Sequence, residues 1–183
     1  ALEMATVSLP NAAAIAIHRL RQGFVALRPA TVDEHAAIRA AKLSPEQVAA
    51  FASLANFDRR HLCRVLEALR QAGVDDVDLL QAALLHDLGK RSPHGQVRLI
   101  QRATRVLLGR LAPSLLARLS RMPASPWRLG LALAVHHPQL GAEEAARLGC
   151  SPRTCWLIAH HEDRPAADDP AMAMLIACDE RTP

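Results

Sequence analysis

Ser44-Pro45, Ser151-Pro152 and Asp169-Pro170 each place a helix-capping residue directly before a proline. A capping oxygen accepts from the free N–H groups of a first helical turn. Proline suits the first helical position because its missing N–H would have no partner there. Ser44-Pro-Glu-Gln47 and Thr31-Val-Asp-Glu34 also have the spacing of a capping box. Gly73, Gly89, Gly109 and Gly149 stand where apolar periodicity lapses, and are expected to stop helices. A chain punctuated this closely folds into many short helices. They are expected near 12–27, 32–41, 45–55, 59–72, 76–88, 95–110, 113–121, 127–136, 140–148, 152–161 and 170–180. Composition agrees: Ala and Leu fill 63 of 183 positions, Val and Ile only 16, and Tyr is absent. Sheets draw on β-branched and aromatic residues, so a sandwich, a barrel or a parallel-sheet fold is excluded. Half the residues are apolar and the net charge is +4, which excludes disorder. The expected fold is an all-α helical bundle, with residues 1–58 as an N-terminal helical extension packed on a core formed by 59–183.

No apolar run reaches the roughly 18 residues of a membrane span. The N-terminus lacks the basic and apolar regions of a signal peptide. Cys63, Cys150, Cys155 and Cys178 form no CxxC pair and read as free thiols, so a cytoplasmic location is expected. Charge is unevenly placed. From Lys90 to Arg128 there are nine positive residues and no acid, which leaves the rest of the chain at −5. Within this segment Arg98, Arg102 and Arg105 recur at helical spacing, opposite Ile100, Leu107, Leu108 and Leu111. The plainest expectation is a solvated arginine face over a packed apolar one. Recruitment of substrate phosphate through Arg98 and Arg102, or docking on an anionic partner, is the other. Specific nucleic-acid recognition is not expected, because no DNA-binding motif is present and stacking aromatics are nearly absent.

Several ionisable residues interrupt apolar stripes. Leu62, Val65, Leu66 and Leu69 form one stripe with His61 at its edge. A second runs Leu79, Leu80, Ala83, Leu84 and ends in His86-Asp87-Leu88-Gly89-Lys90. A third, Met172, Leu175 and Ile176, is continued by Asp179. His136-His137 and His160-His161 each end a helical segment. Burying such groups is costly unless they are paired or bind a metal. Neutral imidazoles with one or two carboxylates are the ligand set of Fe, Mn, Zn, Ni or Co rather than of Ca or Mg.

The ordered set His61, His86-Asp87 and Asp179 resembles the HD superfamily of metal-dependent phosphohydrolases, most specifically over Ala82-Ala-Leu-Leu-His-Asp-Leu-Gly-Lys90. His137-Pro-Gln-Leu-Gly-Ala142 and His160-His161-Glu162 resemble the extended motif of its HD-GYP branch. The likeness spans about residues 59–180. It implies an HD-type bundle holding one or two divalent transition-metal ions. Metal ligands would be His61, His86, Asp87 and Asp179, with Asp87 bridging, and His137, His160 and His161 would serve the second ion. His137 is preferred to His136 because it stands in the His-Pro-x-Leu-Gly frame. Lys90 would contact a substrate phosphate.

The Gly-Tyr-Pro that names the branch is absent, so specificity for cyclic di-GMP does not follow. Phe57 stands where some members carry a metal-binding Glu. The implied activity is cleavage of a nucleotide or phosphodiester by a metal-bridged hydroxide, with a phosphorylated small molecule as partner. A symmetrical dinucleoside-tetraphosphate hydrolase is one alternative, and a non-catalytic HD-like signalling module is another. There is no Walker A loop, no Rossmann fingerprint and no Gly-x-Ser-x-Gly elbow.

Overall fold

A computed structural model describes residues 33–163 and 169–182. The expected helix 12–27 lies outside them. The described residues form nine α-helices, one 3₁₀ turn and one two-stranded hairpin. The helices are α1 (Glu34–Ala40), α2 (Pro45–Ala52), α3 (Asn56–Gln71), α4 (Val77–Leu85), α5 (Leu99–Leu111), α6 (Pro113–Leu119), α7 (Pro126–Arg147), α8 (Pro152–His160) and α9 (Pro170–Arg181). Leu88–Lys90 is the 3₁₀ turn, and β1 (Arg91–Ser92) pairs antiparallel with β2 (Gly95–Gln96). The fold is all-α, as the composition requires.

The punctuation works through specific bonds. Ser44 accepts from the Gln47 N–H while Gln47 returns a bond to the Ser44 N–H, closing a capping box. Ser151 and Asp169 cap α8 and α9. The cap of α1 is Asp33, while Thr31 lies outside the described residues. Gly73 and Gly149 follow α3 and α7 with φ of 85° and 75°. In each, the next residue's N–H returns to a carbonyl five residues back, Val74 to Leu69 and Cys150 to Ala145. This Schellman closure needs the left-handed glycine.

Four expectations are corrected. Gly109 lies inside α5 and stops nothing. The segment expected as helix 95–110 opens instead with the hairpin, which turns at Pro93-His94, so α5 begins at Leu99. The α4 helix ends at Leu85, and His86 and Asp87 lead into the 3₁₀ turn. Helices 127–136 and 140–148 are one, because α7 runs through Pro138. Proline lacks the N–H that would bond the carbonyl four residues back. Here the Ala134 carbonyl finds another donor, the His137 ring, and the helix continues.

One apolar cluster joins most elements: Ala37, Ala41, Phe51 and Leu54 from the N-terminal helices, Leu62 to Leu69 of α3, Leu79 to Leu85 of α4, and Leu157, Ile158, Met172 and Leu175 further on. Helices α1 and α2 therefore share a core with α3 and α4, and the expected boundary at residue 58 falls within α3.

A close backbone approach brings the His-Asp-Leu-Gly turn onto α7. A Cβ on Gly89 would stand 2.2 Å from the His137 carbonyl oxygen and 2.7 Å from the Gly141 nitrogen. On Gly141 the tightest contact would be 3.2 Å, to the Gly89 nitrogen. Gly89 is thus not a helix stop; its missing side chain lets backbone meet backbone beside the ionisable cluster. Gly89→Ala is expected to cost more than the roughly 1–3 kcal/mol typical of overpacking, because backbone cannot move aside as a side chain does, while Gly141→Ala stays within that range. Urea unfolding of both variants checks this; a Gly89→Ala protein as stable as the parent would refute the close approach.

Candidate metal centre

Five elements converge on one cluster. His61 comes from α3, His86 and Asp87 from the end of α4, His137 from α7, His161 from the end of α8 and Asp179 from α9. The ligand-type atoms fall into two triads sharing one carboxylate. His61, His86 and Asp87 form the first and Asp87, His137 and His161 the second, with the atoms of each within 4.8 Å of one another. Asp179 Oδ1 lies 2.7 Å from His61 Nε2 and 3.5 Å from His86 Nε2, and so extends the first triad.

Burial divides the cluster into a floor and a mouth. His86, Asp87 and His137 are about 1 % exposed. The side chains of Asp179 and Glu162 are about a third exposed and mark the open side.

The hydrogen bonds fix the histidine tautomers. A carbonyl oxygen only accepts, so His137 Nδ1–H donates to Ala134 (3.1 Å) and His161 Nδ1–H donates to Ile158 (2.7 Å). Burial, with Lys90 nearby, pushes the His137 imidazolium down to a pKa of about 3. Burial, with His86 nearby, pushes His161 down to about 4. Both rings are therefore neutral near pH 7, and each Nε2 carries a lone pair. Those two nitrogens face each other at 3.2 Å. Two acceptors at that distance repel unless a cation stands between or beside them.

Asp87 adds to the mismatch. Its Oδ2 accepts from Lys90 Nζ at 2.7 Å, but Oδ1 is buried with no hydrogen-bond partner. That oxygen lies 3.6 Å from His137 Nε2 and 3.7 Å from His86 Nε2. Burial would raise the Asp87 pKa, but Lys90 and the surrounding histidines hold it well below the usual carboxylate range. Burial opposes charge on His86, yet Asp87 and Asp179 together raise its pKa. Unpartnered buried lone pairs on Asp87, His137 and His161 are the donor set of a divalent transition metal, and the residues present fit such an ion.

Other expected site residues lie elsewhere. His160 does not join the cluster: its Nδ1–H donates to Trp156 and its ring stacks on that indole, centroids 5.0 Å apart. Neighbouring residues on a helix point about 100° apart, so one of each His-His pair must turn away. His136 turns to the Ser120 carbonyl, at 3.0 Å, beside a groove of about 530 Å³ between α6 and α7. Arg98 is exposed at the start of α5. Arg102 is engaged by the buried Asp58 at 2.5 Å, with its guanidinium over Phe57, and is not free for substrate.

Glu162 was not among the expected ligands. Its Oε1 lies 3.7 Å from His137 Nε2, and Arg105 clasps the carboxylate with two bonds. Its position directly after His161 was the available sequence signal. Comparison with protein-family models, curated proteins and solved structures finds no match to this chain. The cluster has to be read from its own chemistry.

The two depressed histidines predict an acid response of the metal-free protein. Their folded pKa values lie below the ordinary value of about 6.5, so the unfolded chain binds more protons between those limits. Stability present above pH 6.5 is lost as pH falls, by about 1.4 kcal/mol per pH unit for each ring, down to their folded pKa values. Denaturant unfolding at stepped pH in chelator measures the slope; a flat profile from pH 6.5 to 4.5 would show that the rings are not held neutral.

Proposed function

We propose that this chain is an HD-type metal-dependent phosphohydrolase acting on a nucleotide or another phosphodiester. The observation that carries the reading is the pair of triads meeting at Asp87 Oδ1, a buried carboxylate oxygen without a hydrogen-bond donor. His61, His86, Asp87 and Asp179 would hold one ion, and Asp87, His137 and His161 a second. Bound there, such ions activate water as a nucleophile near neutral pH and polarise phosphoryl oxygens.

The protein's own groups supply the remainder. The Ala134 and Ile158 carbonyls hold two imidazoles with Nε2 turned inward. The His61 Nε2–H is now bonded to Asp179, so for that nitrogen to serve as a ligand the ring would carry its proton on Nδ1 instead. Lys90 Nζ, 2.7 Å from Asp87 Oδ2, would offer a positive charge to a phosphate oxygen held beside that carboxylate. Asp179 and Glu162 flank the open side by which substrate enters.

The test is direct. The untagged protein is analysed for bound metal, then assayed with Mn or Fe on a phosphodiester, a phosphomonoester and a dinucleoside tetraphosphate. Turnover of the phosphodiester supports the proposal. Symmetrical cleavage of the tetraphosphate alone would favour the narrower hydrolase. Metal without turnover would favour a binding module, and neither metal nor turnover would overturn the reading.

A further inference from the structure

Helix α5 is built inside out. Leu99, Ile100, Ala103, Val106, Leu107 and Leu111 face solvent, and no residue of the helix is buried. Leu99 is 73 % exposed and Leu111 75 %. Three of its polar side chains face the protein: Arg102 reaches Asp58, Arg105 reaches Glu162, and the Gln101 amide packs at Gly130. This reverses the expected arginine face over a packed apolar one. Six exposed apolar side chains along one helix face mark an interaction site.

Charge selects the occupant. The patch lies within the acid-free stretch between Asp87 and Glu143. Arg98, Arg110, Arg118 and Arg121 are exposed in the same stretch, and among the described residues none of them enters an ion pair with an acid. A second copy would bring the same positive patch. Residues 1–32 carry Arg19, Arg21 and Arg28 against the single acid Glu3, and so have the same sign. Leucine, isoleucine and valine on one face with arginines beside them match the boundary between anionic headgroups and acyl chains, where arginine stems reach outward to phosphate. Among the described residues no helix is long and apolar enough to cross a membrane, and none is needed for this mode. We infer that the outward face of α5 docks this protein on the surface of an anionic lipid bilayer. The inference is independent of the metal chemistry.

Vesicle flotation of the full chain tests it, with phosphatidylcholine vesicles compared to ones containing about a third phosphatidylglycerol. The parent is expected to float with the anionic vesicles and to be released by salt. Leu107→Glu combined with Leu111→Glu should weaken partitioning roughly tenfold or more, as should Arg110→Glu combined with Arg118→Glu. Both pairs are solvent-exposed, so circular dichroism and bound metal should match the parent. Failure of the parent to float overturns the inference; a dimer in light scattering that is lost in the leucine variant would then make a second copy the occupant. Equal binding to neutral vesicles, or flotation unaffected by either double substitution, overturns it as well.

Discussion

Asp87→Asn is expected to remove metal from the whole cluster rather than from half of it. Asparagine keeps the shape and can still accept from Lys90, so the fold is retained. What disappears is the negative charge at the oxygen common to both triads. Loss of an outer hydrogen bond to a metal ligand weakens binding about 10–100-fold, and loss of the shared ligand should exceed that. Turnover, where measured, should fall by at least the roughly 10²–10³ attached to one transition-state-stabilising group. Stability gives a readout free of any substrate. A ligand at about 100 times its Kd adds about 2.7 kcal/mol to the native state. The parent should show a stabilisation of this kind with added Mn or Fe, and Asp87→Asn should show none. An unchanged metal-induced shift would make Asp87 only the buried partner of Lys90, and the paired-triad assignment would fall.

Helix positions were legible because their signals are local. Ser44, Ser151 and Asp169 are followed by proline, and each caps a helix within hydrogen-bond reach. What periodicity could not supply was which way a stripe faces. In α5 the spacing of Arg102 and Arg105 against Leu107 and Leu111 marks two faces, while Arg98 stays exposed at the helix start. The inward face was chosen by acids distant in sequence, Asp58 and Glu162, and nothing within residues 95–111 announces them.

The candidate ligands were legible for a different reason. His61, His86, Asp87 and Asp179 stand at the edges or ends of apolar stripes, so helix packing alone brings them inward. The doubled histidines were harder. His161 follows buried Leu157 by four residues and His160 follows partly exposed Trp156 by four, a clue that points to His161. Glu162 follows buried Ile158 by four residues in the same way, and Arg105 clasps it in place.

Pro138→Ala is expected to make the protein more stable and a poorer metal binder. Proline within a helix costs about 3 kcal/mol relative to alanine. Two carbons lost from a buried site offset about 1–2 kcal/mol of that, so a net gain of about 1–2 kcal/mol is expected. The same change restores an N–H at position 138, aimed at the Ala134 carbonyl. That carbonyl now accepts the His137 Nδ1–H at 3.1 Å, the bond that leaves Nε2 bare and facing His161. With its acceptor contested, the ring is free to carry its proton on Nε2, and metal affinity should fall about 10–100-fold. Urea unfolding in chelator measures the first effect and metal titration the second. A residue that only shaped the helix would move both quantities together. Opposite signs are the mark of a proline kept because the donor it lacks leaves a carbonyl free to orient a ligand. An affinity equal to the parent's would mean that the tautomer of His137 is set elsewhere.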